Sequence, residues 1–313
     1  MNKLKFINCP ICNSLKFEKL FISRTERIPL LKTQISICKN CGHIMCNPWP
    51  NKQIYKKINE IWYKFKFHND PISSSDKIKF KRWEEMWFRI NGFLKNKKYN
   101  ILDIGSGNGA SIEFLKKKIP RLNAYVIEQY KGNWKYLKEK LGCIVYNIDI
   151  EKSNWGDDIN KKFDLVIFRH TLEHIKTVNN NLTQISKLLS HDGLAYIVVP
   201  DVMGIKQKHV KTSFFRPVHL HYFDKNNFEV LCKKNKLNPL LLALDDKNKK
   251  NKEIFGIFNK SFSEYSPKIL GNYKIQKTYI NRMIKKNFWT DLFIIFKIEI
   301  KLLINWKNSR KKL

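Results

Sequence analysis

Three sets of residues have the types and spacing to do chemistry. The first is the stretch Asp103-Ile104-Gly105-Ser106-Gly107-Asn108-Gly109. An apolar, β-prone run from Asn100 to Ile104 stops at three glycines spaced two apart, and a helical pattern with Ile112, Leu115 and Ile119 follows at once. Glycine lets a backbone turn sharply and approach a ligand closely, and the start of a helix offers free N–H groups. Strand, glycine turn and helix predict a nucleotide-binding α/β unit, with Gly105, Ser106, Gly107 and Gly109 lying against the ligand. The spacing differs from the G-x-G-x-x-G of dinucleotide sites, and Asp103 stands two residues before the first glycine. A carboxylate there suits a ligand with a positive amino group and suits a pyrophosphate badly.

The second set lies at the ends of the strands that follow. Ala124 to Glu128 reads as the second strand, and an acid at its end can accept both ribose hydroxyls of an adenosine cofactor. Asp149, just past a third strand from Cys143 to Ile148, is placed to meet the adenine amino group. Phe163 to Phe168 is an apolar run suited to a buried parallel strand, and Arg169-His170-Thr171-Leu172-Glu173-His174 follows at its C-terminal end, where open α/β sheets bind ligands. Arg169 is expected beside the cofactor. One of His170, His219 and His221 is expected to act as general base or substrate ligand, with His174 one turn beyond His170 and Glu173 beside it. His219 and His221 would share a face if their loop is extended. For each histidine the alternative is a structural hydrogen bond, and for His170 a place lining the cofactor. Asp201, past the fifth strand, is a further candidate contact.

The third set is Cys9, Cys12, Cys38 and Cys41. Each C-x-x-C pair forms a knuckle that aims two thiolates at one point, and two knuckles complete a tetrahedral Zn²⁺ site. With all four positions filled by thiolate the ion is expected to be structural. The gap between the pairs leaves room for a hairpin, and Cys46 beyond them reads as a core residue.

The elements that must position these groups follow from pattern. A helix is expected from Asp76, its candidate cap, to about Leu94, with Ile78, Trp83, Trp87, Ile90 and Leu94 on one stripe packed against the core, the alternative being aromatics that form a substrate wall. Trp134, Leu137 and Leu141 mark a helix, and Leu182 to Leu189 another, closed by Asp192-Gly193. Leu194 to Val199 is the fifth strand. Asp224 is placed to cap a helix over Asn226–Lys236, and Leu240–Leu244 with Glu253–Phe258 form a closing hairpin. The tail from Lys285 to Leu313 is apolar and basic. It fits an amphipathic segment on an acidic membrane, a helix docked on a partner, or packing on its own core, and the alternation from Phe296 to Leu302 also fits a strand.

The 313 residues, 43% hydrophobic and 13% aromatic, suffice for a large domain plus a small one and argue against global disorder. The formal net charge of +33 suits an anionic partner, although the lysines are spread along the chain, as a biased composition would also spread them. An odd count of seven cysteines and the absence of an apolar leader before Cys9 point to a reducing cytoplasm. No stretch has the roughly 20 uncharged apolar residues of a spanning helix.

The order Ile101–Gly109, Val126-Ile127-Glu128, Phe163–Ile175 and His191–Asp201 resembles the class I S-adenosylmethionine-dependent methyltransferases from motif I through the fifth strand. Leu172-Glu173-His174-Ile175 and His219-Leu220-His221-Tyr222-Phe223 resemble the branch that includes ubiquinone-type O-methyltransferases. The two C-x-x-C pairs followed by Asn47-Pro48 resemble a bacterial group with a zinc-binding head, some of whose members methylate deoxysugars or natural products. The resemblance covers roughly residues 5–260. It implies an α/β fold, a Rossmann-like seven-stranded sheet with a small N-terminal zinc-binding domain, and Asp103 at the methionine end of the cofactor. The domain organisation it suggests is a zinc head over 1–50, a helical connector and cap over 51–98, a cofactor-binding domain over 99–260 and a basic extension over 261–313.

The expected function is methyl transfer from S-adenosylmethionine to a small molecule or a sugar or glycan precursor, anionic in character, in surface polysaccharide or secondary metabolite biosynthesis. The expected location is cytoplasmic, with peripheral contact at the inner face of the membrane through the tail. Methylation of RNA is the alternative enzyme reading. Against it stand the absence of an Asn/Asp-Pro-Pro-aromatic tetrad after the fourth strand and of an RNP-like aromatic strand. A non-catalytic zinc-containing scaffold is the other alternative, disfavoured because a scaffold needs none of Asp103, Gly105, Gly107 and Glu128.

Overall fold

The computed structural model describes residues 6–25, 28–49, 76–94, 98–206, 210–246, 251–263 and 271–310, with isolated positions 53, 55, 61 and 208. The side chains of Asp76 and Ile78, and most of residues 51–75 of the expected connector and cap, lie outside the described residues.

The principal sheet holds β4 (Lys98–Ile104), β5 (Arg121–Ile127), β6 (Ile144–Tyr146), β7 (Phe163–Arg169), β8 (Leu189–Ile205), β10 (Leu237–Asp245) and β11 (Asn251–Lys260). Their spatial order is β10-β11-β8-β7-β4-β5-β6. β4 to β8 run parallel, and β11 lies antiparallel between β8 and β10. This is the Rossmann-like seven-stranded sheet that the family resemblance implies. Alternate residues of the central strands serve opposite faces. Ile101, Leu165 and Ile167 pack with Met86 and Ile90 of α1 (Asp76–Asn91) and Ile112 and Leu115 of α2 (Ala110–Lys118). Leu102, Val166 and Phe168 pack with Leu182 and Ile185 of α3 (Val178–Leu188) and Phe228 and Leu231 of α4 (Lys225–Lys234). α1 is further clamped by Arg89, which pairs with Asp245, donates to the Tyr196 hydroxyl at 3.0 Å and lies 3.8 Å above the Phe255 ring.

A second, antiparallel sheet is ordered β1-β2-β3-β9, from β1 (Phe17–Thr25), β2 (Ile28–Cys38), β3 (Ile44–Cys46) and β9 (His221–Tyr222). β1 and β2 are the hairpin for which the cysteine spacing leaves room, and Cys46 is fully buried in it as expected. α5 (Tyr273–Lys286) lays Ile280, Tyr279 and Met283 against Ile35, Ile37 and Phe215 of this core. α6 (Phe288–Arg310) follows it, so the Phe296–Leu302 alternation belongs to a helix and not to a strand.

Two expected boundaries move. Asp192-Gly193 does not close α3: the helix ends at Leu188, and Leu189, already extended, pairs with Phe163. The segment around Trp134 and Leu137 is a short 3₁₀ turn and a π turn rather than a regular helix. Its start is drawn to the strand end because the Trp134 indole N–H donates to the Glu128 carbonyl at 2.8 Å. Asp224 caps α4 as expected, accepting from the amides of Asn226 (3.0 Å) and Asn227 (3.2 Å).

Candidate cofactor and acceptor site

β4 delivers the chain into a loop in which Gly105, Gly107 and Gly109 all have positive φ, at 74°, 58° and 77°. The left-handed region strains any residue with a Cβ. Space forbids one too: a Cβ on Gly105 would lie 2.5 Å from Thr171 Oγ1, and one on Gly109 would lie 2.5 Å from Leu137. Glu128, buried at the end of β5, spans the loop. Its Oε2 accepts from the Gly107 amide at 2.6 Å and its Oε1 from the Tyr130 amide at 2.7 Å. Asp103 is buried beneath the loop and accepts from the Ser111 hydroxyl in the first turn of α2. Burial raises its pKa to about 7; the Ser111 hydrogen bond and Arg169 pull down and Glu128 pushes up. Ser106 is half-buried, and its hydroxyl has no protein partner among the described residues. Asp149 is exposed beyond β6, its side chain turned onto the Glu151 amide at 3.0 Å.

The end of β7 carries a second constellation. Arg169 is bound to Glu253 of β11 at 3.0 Å. His170 has φ 51°, in the left-handed region that non-glycine residues adopt uncommonly. Its ring lies between two carboxylates, Nδ1 at 3.2 Å from Glu173 Oε1 and Nε2 at 3.0 Å from Glu253 Oε1. Burial would raise the pKa of Glu173, but the His170 hydrogen bond and the charges of His174 and His170 hold it below the usual carboxylate range. His174 Nδ1 donates to the Val218 carbonyl at 2.9 Å, and its Nε2 is turned toward Glu173. That Nε2 is 3.8 Å from Glu173 Oε1, and the His219 ring packs edge-on to His174 with centroids 4.6 Å apart. Donor atoms of Glu173, His174 and His219 lie within 4.8 Å of one another, a set able to take up a proton or a divalent cation.

The structure therefore gathers Asp103, the glycine loop and Glu128 in one place, and His170, Glu173, His174 and His219 at the neighbouring strand end, joined by Thr171 against Gly105. His221 sits elsewhere. It is buried, with Nδ1 3.2 Å from His43 Nε2 and its ring stacked on that histidine. Asp201 is buried and accepts from the Met203 amide at 2.9 Å. Pattern reading missed Glu253, His43 and Ser111 as partners. The first two lie 83 residues from His170 and 178 from His221, so no local pattern could reveal them. Ser111, a polar residue among the buried positions of α2, offered the one local signal.

Cys9, Cys12, Cys38 and Cys41 converge at the edge of the second sheet. Their sulfurs lie within 4.8 Å of one another, with Cys9–Cys41 and Cys12–Cys38 each at 3.5 Å. A disulfide would need about 2.05 Å. Four thiolates about 2.3 Å from a tetrahedral ion stand about 3.8 Å apart, so the donor set fits a closed metal site. The cluster is not peripheral to the core. Cys9, Ile11, Cys38 and Cys41 pack in the same cluster as Phe228 and Leu231, and Asn227 donates to the Cys41 carbonyl at 3.2 Å. Asn179 reaches the Pro10 carbonyl at 3.0 Å.

Comparison with known proteins gives three findings. A family model described as a methyltransferase domain matches residues 79–242, just over half of the chain. Ribosomal RNA small subunit methyltransferase G of Malacoplasma penetrans (strain HF-2) is 31% identical over 126 residues, 38% of this chain and 52% of that protein, so the chain spans about half the length of this curated relative. Among solved structures, 1,6-didemethyltoxoflavin-N1-methyltransferase of Burkholderia thailandensis, with bound 1,6-didemethyltoxoflavin and S-adenosylhomocysteine, matches with a TM-score of 0.51 at 14% identity, covering 70% of this chain and 96% of that one. An S-adenosylmethionine-dependent methyltransferase of Clostridium acetobutylicum matches with a TM-score of 0.45 at 15% identity, over 66% of this chain and 99% of that one.

Proposed function

The chain belongs to the methyltransferase-domain family, and from that premise we propose that it moves a methyl group from S-adenosylmethionine to a hydroxyl of an anionic small molecule or sugar precursor. The observation that carries the cofactor is the buried Glu128 bound across the positive-φ glycine loop. Bound S-adenosylmethionine supplies an electrophilic methyl on a sulfonium. Asp103 and the loop amides would hold its methionine end, Glu128 would accept from the ribose hydroxyls and Asp149 would meet the adenine amino group. Arg169, paired with Glu253, fixes the rim between β7 and β11.

The acceptor side is assigned to the end of β7. His170 would position Glu173, Glu173 faces His174, and Nε2 of His174 would take the proton of the acceptor hydroxyl. His219 flanks that nitrogen. His221, buried against His43, has no part in this assignment. Replacing His174 or His219 by alanine is expected to leave cofactor affinity intact and to cut turnover by about 10²- to 10⁴-fold. Full turnover in both variants would remove the pair from the mechanism.

Asp103 gives a pH signature. With its pKa near 7 in the free protein, the carboxyl is largely protonated at pH 6. The ammonium of the cofactor favours the ionised form, so binding releases a proton below pH 7 and affinity rises through neutrality. Titration calorimetry in buffers of different ionisation enthalpy is expected to show that release at pH 6 and its loss at pH 8.5. Proton uptake, or no linkage at all, would be the wrong sign for this role. Stability runs the other way. The pKa is raised above its unfolded value of 3.8, so the favourable term is present below pH 3.8 and is lost as pH rises through about 7.

The four cysteines are assigned a structural Zn²⁺, held by Cys9, Cys12, Cys38 and Cys41 with no open position for chemistry. A second reading of the acceptor, RNA, is favoured by the ribosomal RNA methyltransferase relative and by the +33 charge. Methylation of RNA with steep salt dependence would select it over the small-molecule reading.

A further inference from the structure

α6 is apolar on two opposite faces, and only one of them is used by the fold. The inner face is docked. Asp291 is buried and accepts from the Lys211 amide at 3.1 Å and the Thr212 hydroxyl at 3.3 Å; Ile298 is buried, and Glu299 pairs with Arg24. At about 100° per residue, the opposite side carries Trp289, Phe293, Phe296, Ile300, Leu303 and Ile304 within roughly 100° of arc. All six are exposed, Trp289 at 77% and Phe296 at 62%. This is a continuous stripe, unlike the scattered apolar residues that any surface carries.

Charge identifies what covers it. Lys297 and Lys301 border the stripe and are exposed, with Lys297 Nζ 4.6 Å above the Phe293 ring. Both acids of the described helix, Asp291 and Glu299, are engaged with the rest of the protein. Arg282, Lys285 and Lys286 immediately precede the helix and line a shallow hollow in α5, and Arg310-Lys311-Lys312 follow in the sequence. A second copy seated on the stripe would bring two rows of lysines together. An anionic bilayer surface would instead receive the side chains at depth and the lysines at its headgroups. Among the described residues no helix is long and apolar enough to cross a membrane, so the helix would lie in the interface.

We propose that α6 is a membrane-surface helix that seats this protein on an anionic lipid bilayer through the Trp289–Ile304 stripe. The test is vesicle flotation of the full chain with phosphatidylcholine vesicles, alone or with about a third phosphatidylglycerol. Three variants accompany it: Phe293→Ser with Phe296→Ser, Lys297→Glu with Lys301→Glu, and a surface control, Phe88→Ser. The wild type and the control are expected to float with the anionic vesicles and not with the neutral ones. Each α6 double variant is expected to bind at least about tenfold more weakly. The α6 variants change only exposed side chains, so their melting temperature and cofactor titration report whether the fold is intact. The proposal fails if the wild type ignores anionic vesicles, if folded α6 variants float as well as the wild type, or if the stripe variants convert a dimer into a monomer without any lipid-dependent change.

Discussion

Replacing Glu128 by alanine is expected to weaken S-adenosylmethionine binding by about 10²- to 10⁴-fold. The carboxylate is buried at the end of β5, with one oxygen on the Gly107 amide at 2.6 Å and the other on the Tyr130 amide at 2.7 Å. Each carboxylate oxygen can accept more than one hydrogen bond, so the same group can also receive a ribose diol. A hydrogen bond to a charged group contributes about 1.5–3 kcal/mol, so losing two removes about 3–6 kcal/mol of binding. The substitution also frees the two amides that set the curvature of the loop, which acts in the same direction. Glu128→Gln keeps the shape but turns an amide NH₂ toward one backbone N–H, and it is expected to fall between the two. Titration calorimetry with S-adenosylmethionine and S-adenosylhomocysteine decides the matter. An alanine variant that binds as the wild type does would move the ribose, and with it the whole cofactor assignment, away from this loop.

The second large effect is expected from the thiolate cluster. The purified chain should carry one zinc, and chelation or Cys38→Ser should lower the melting temperature of the whole protein by at least about 10 °C. Structural zinc contributes about 10–16 kcal/mol in isolated fingers. In a domain of this size each kcal/mol shifts the midpoint by about 2–4 °C, so a third of that contribution is enough. The effect should be global because the cysteines share a core cluster with Phe228 and Leu231. Gly42, at φ 82° in the second knuckle, also lies against the Asn272 and Tyr273 backbone at the start of α5, where a Cβ would come within 2.8 Å. Scanning calorimetry with and without a chelator, beside metal analysis, tests this. A metal-free chain of undiminished stability would make the four thiols ordinary core residues.

How much of this the sequence discloses depends on how far apart the interacting residues are. The glycine loop and each cysteine knuckle are legible because each is a local device within a few residues, and Glu128 is legible because it ends the strand that follows the loop and its helix. The closing hairpin is legible for the same reason. The acceptor side is only half legible. Glu173 and His174 stand beside His170 in sequence, but what holds His170 is Glu253 on β11, and what faces His174 is His219. His219 and His221 invite a shared role two residues apart, yet β9 turns His221 onto His43 while His219 stays with His174. The last helix defeats pattern reading for another reason. Two opposed apolar faces cancel the periodicity that marks an amphipathic helix, so the stretch reads equally as helix or strand.

β9 has a consequence for how such a protein is built and rebuilt. Its two residues, His221 and Tyr222, pair with Met45 and Ile44, so the small sheet that carries the cysteines is finished by a segment encoded far downstream. A fragment ending near residue 50 would expose an unpaired edge at β3 and lose the imidazole that faces His43. The remainder, expressed alone, would leave β9 with no strand to join. Shuffling heads between relatives would thus require three crossovers, one after Pro48 and one on each side of the His221-Tyr222 pair, because the element behaves as an interleaved part and not as a detachable cassette.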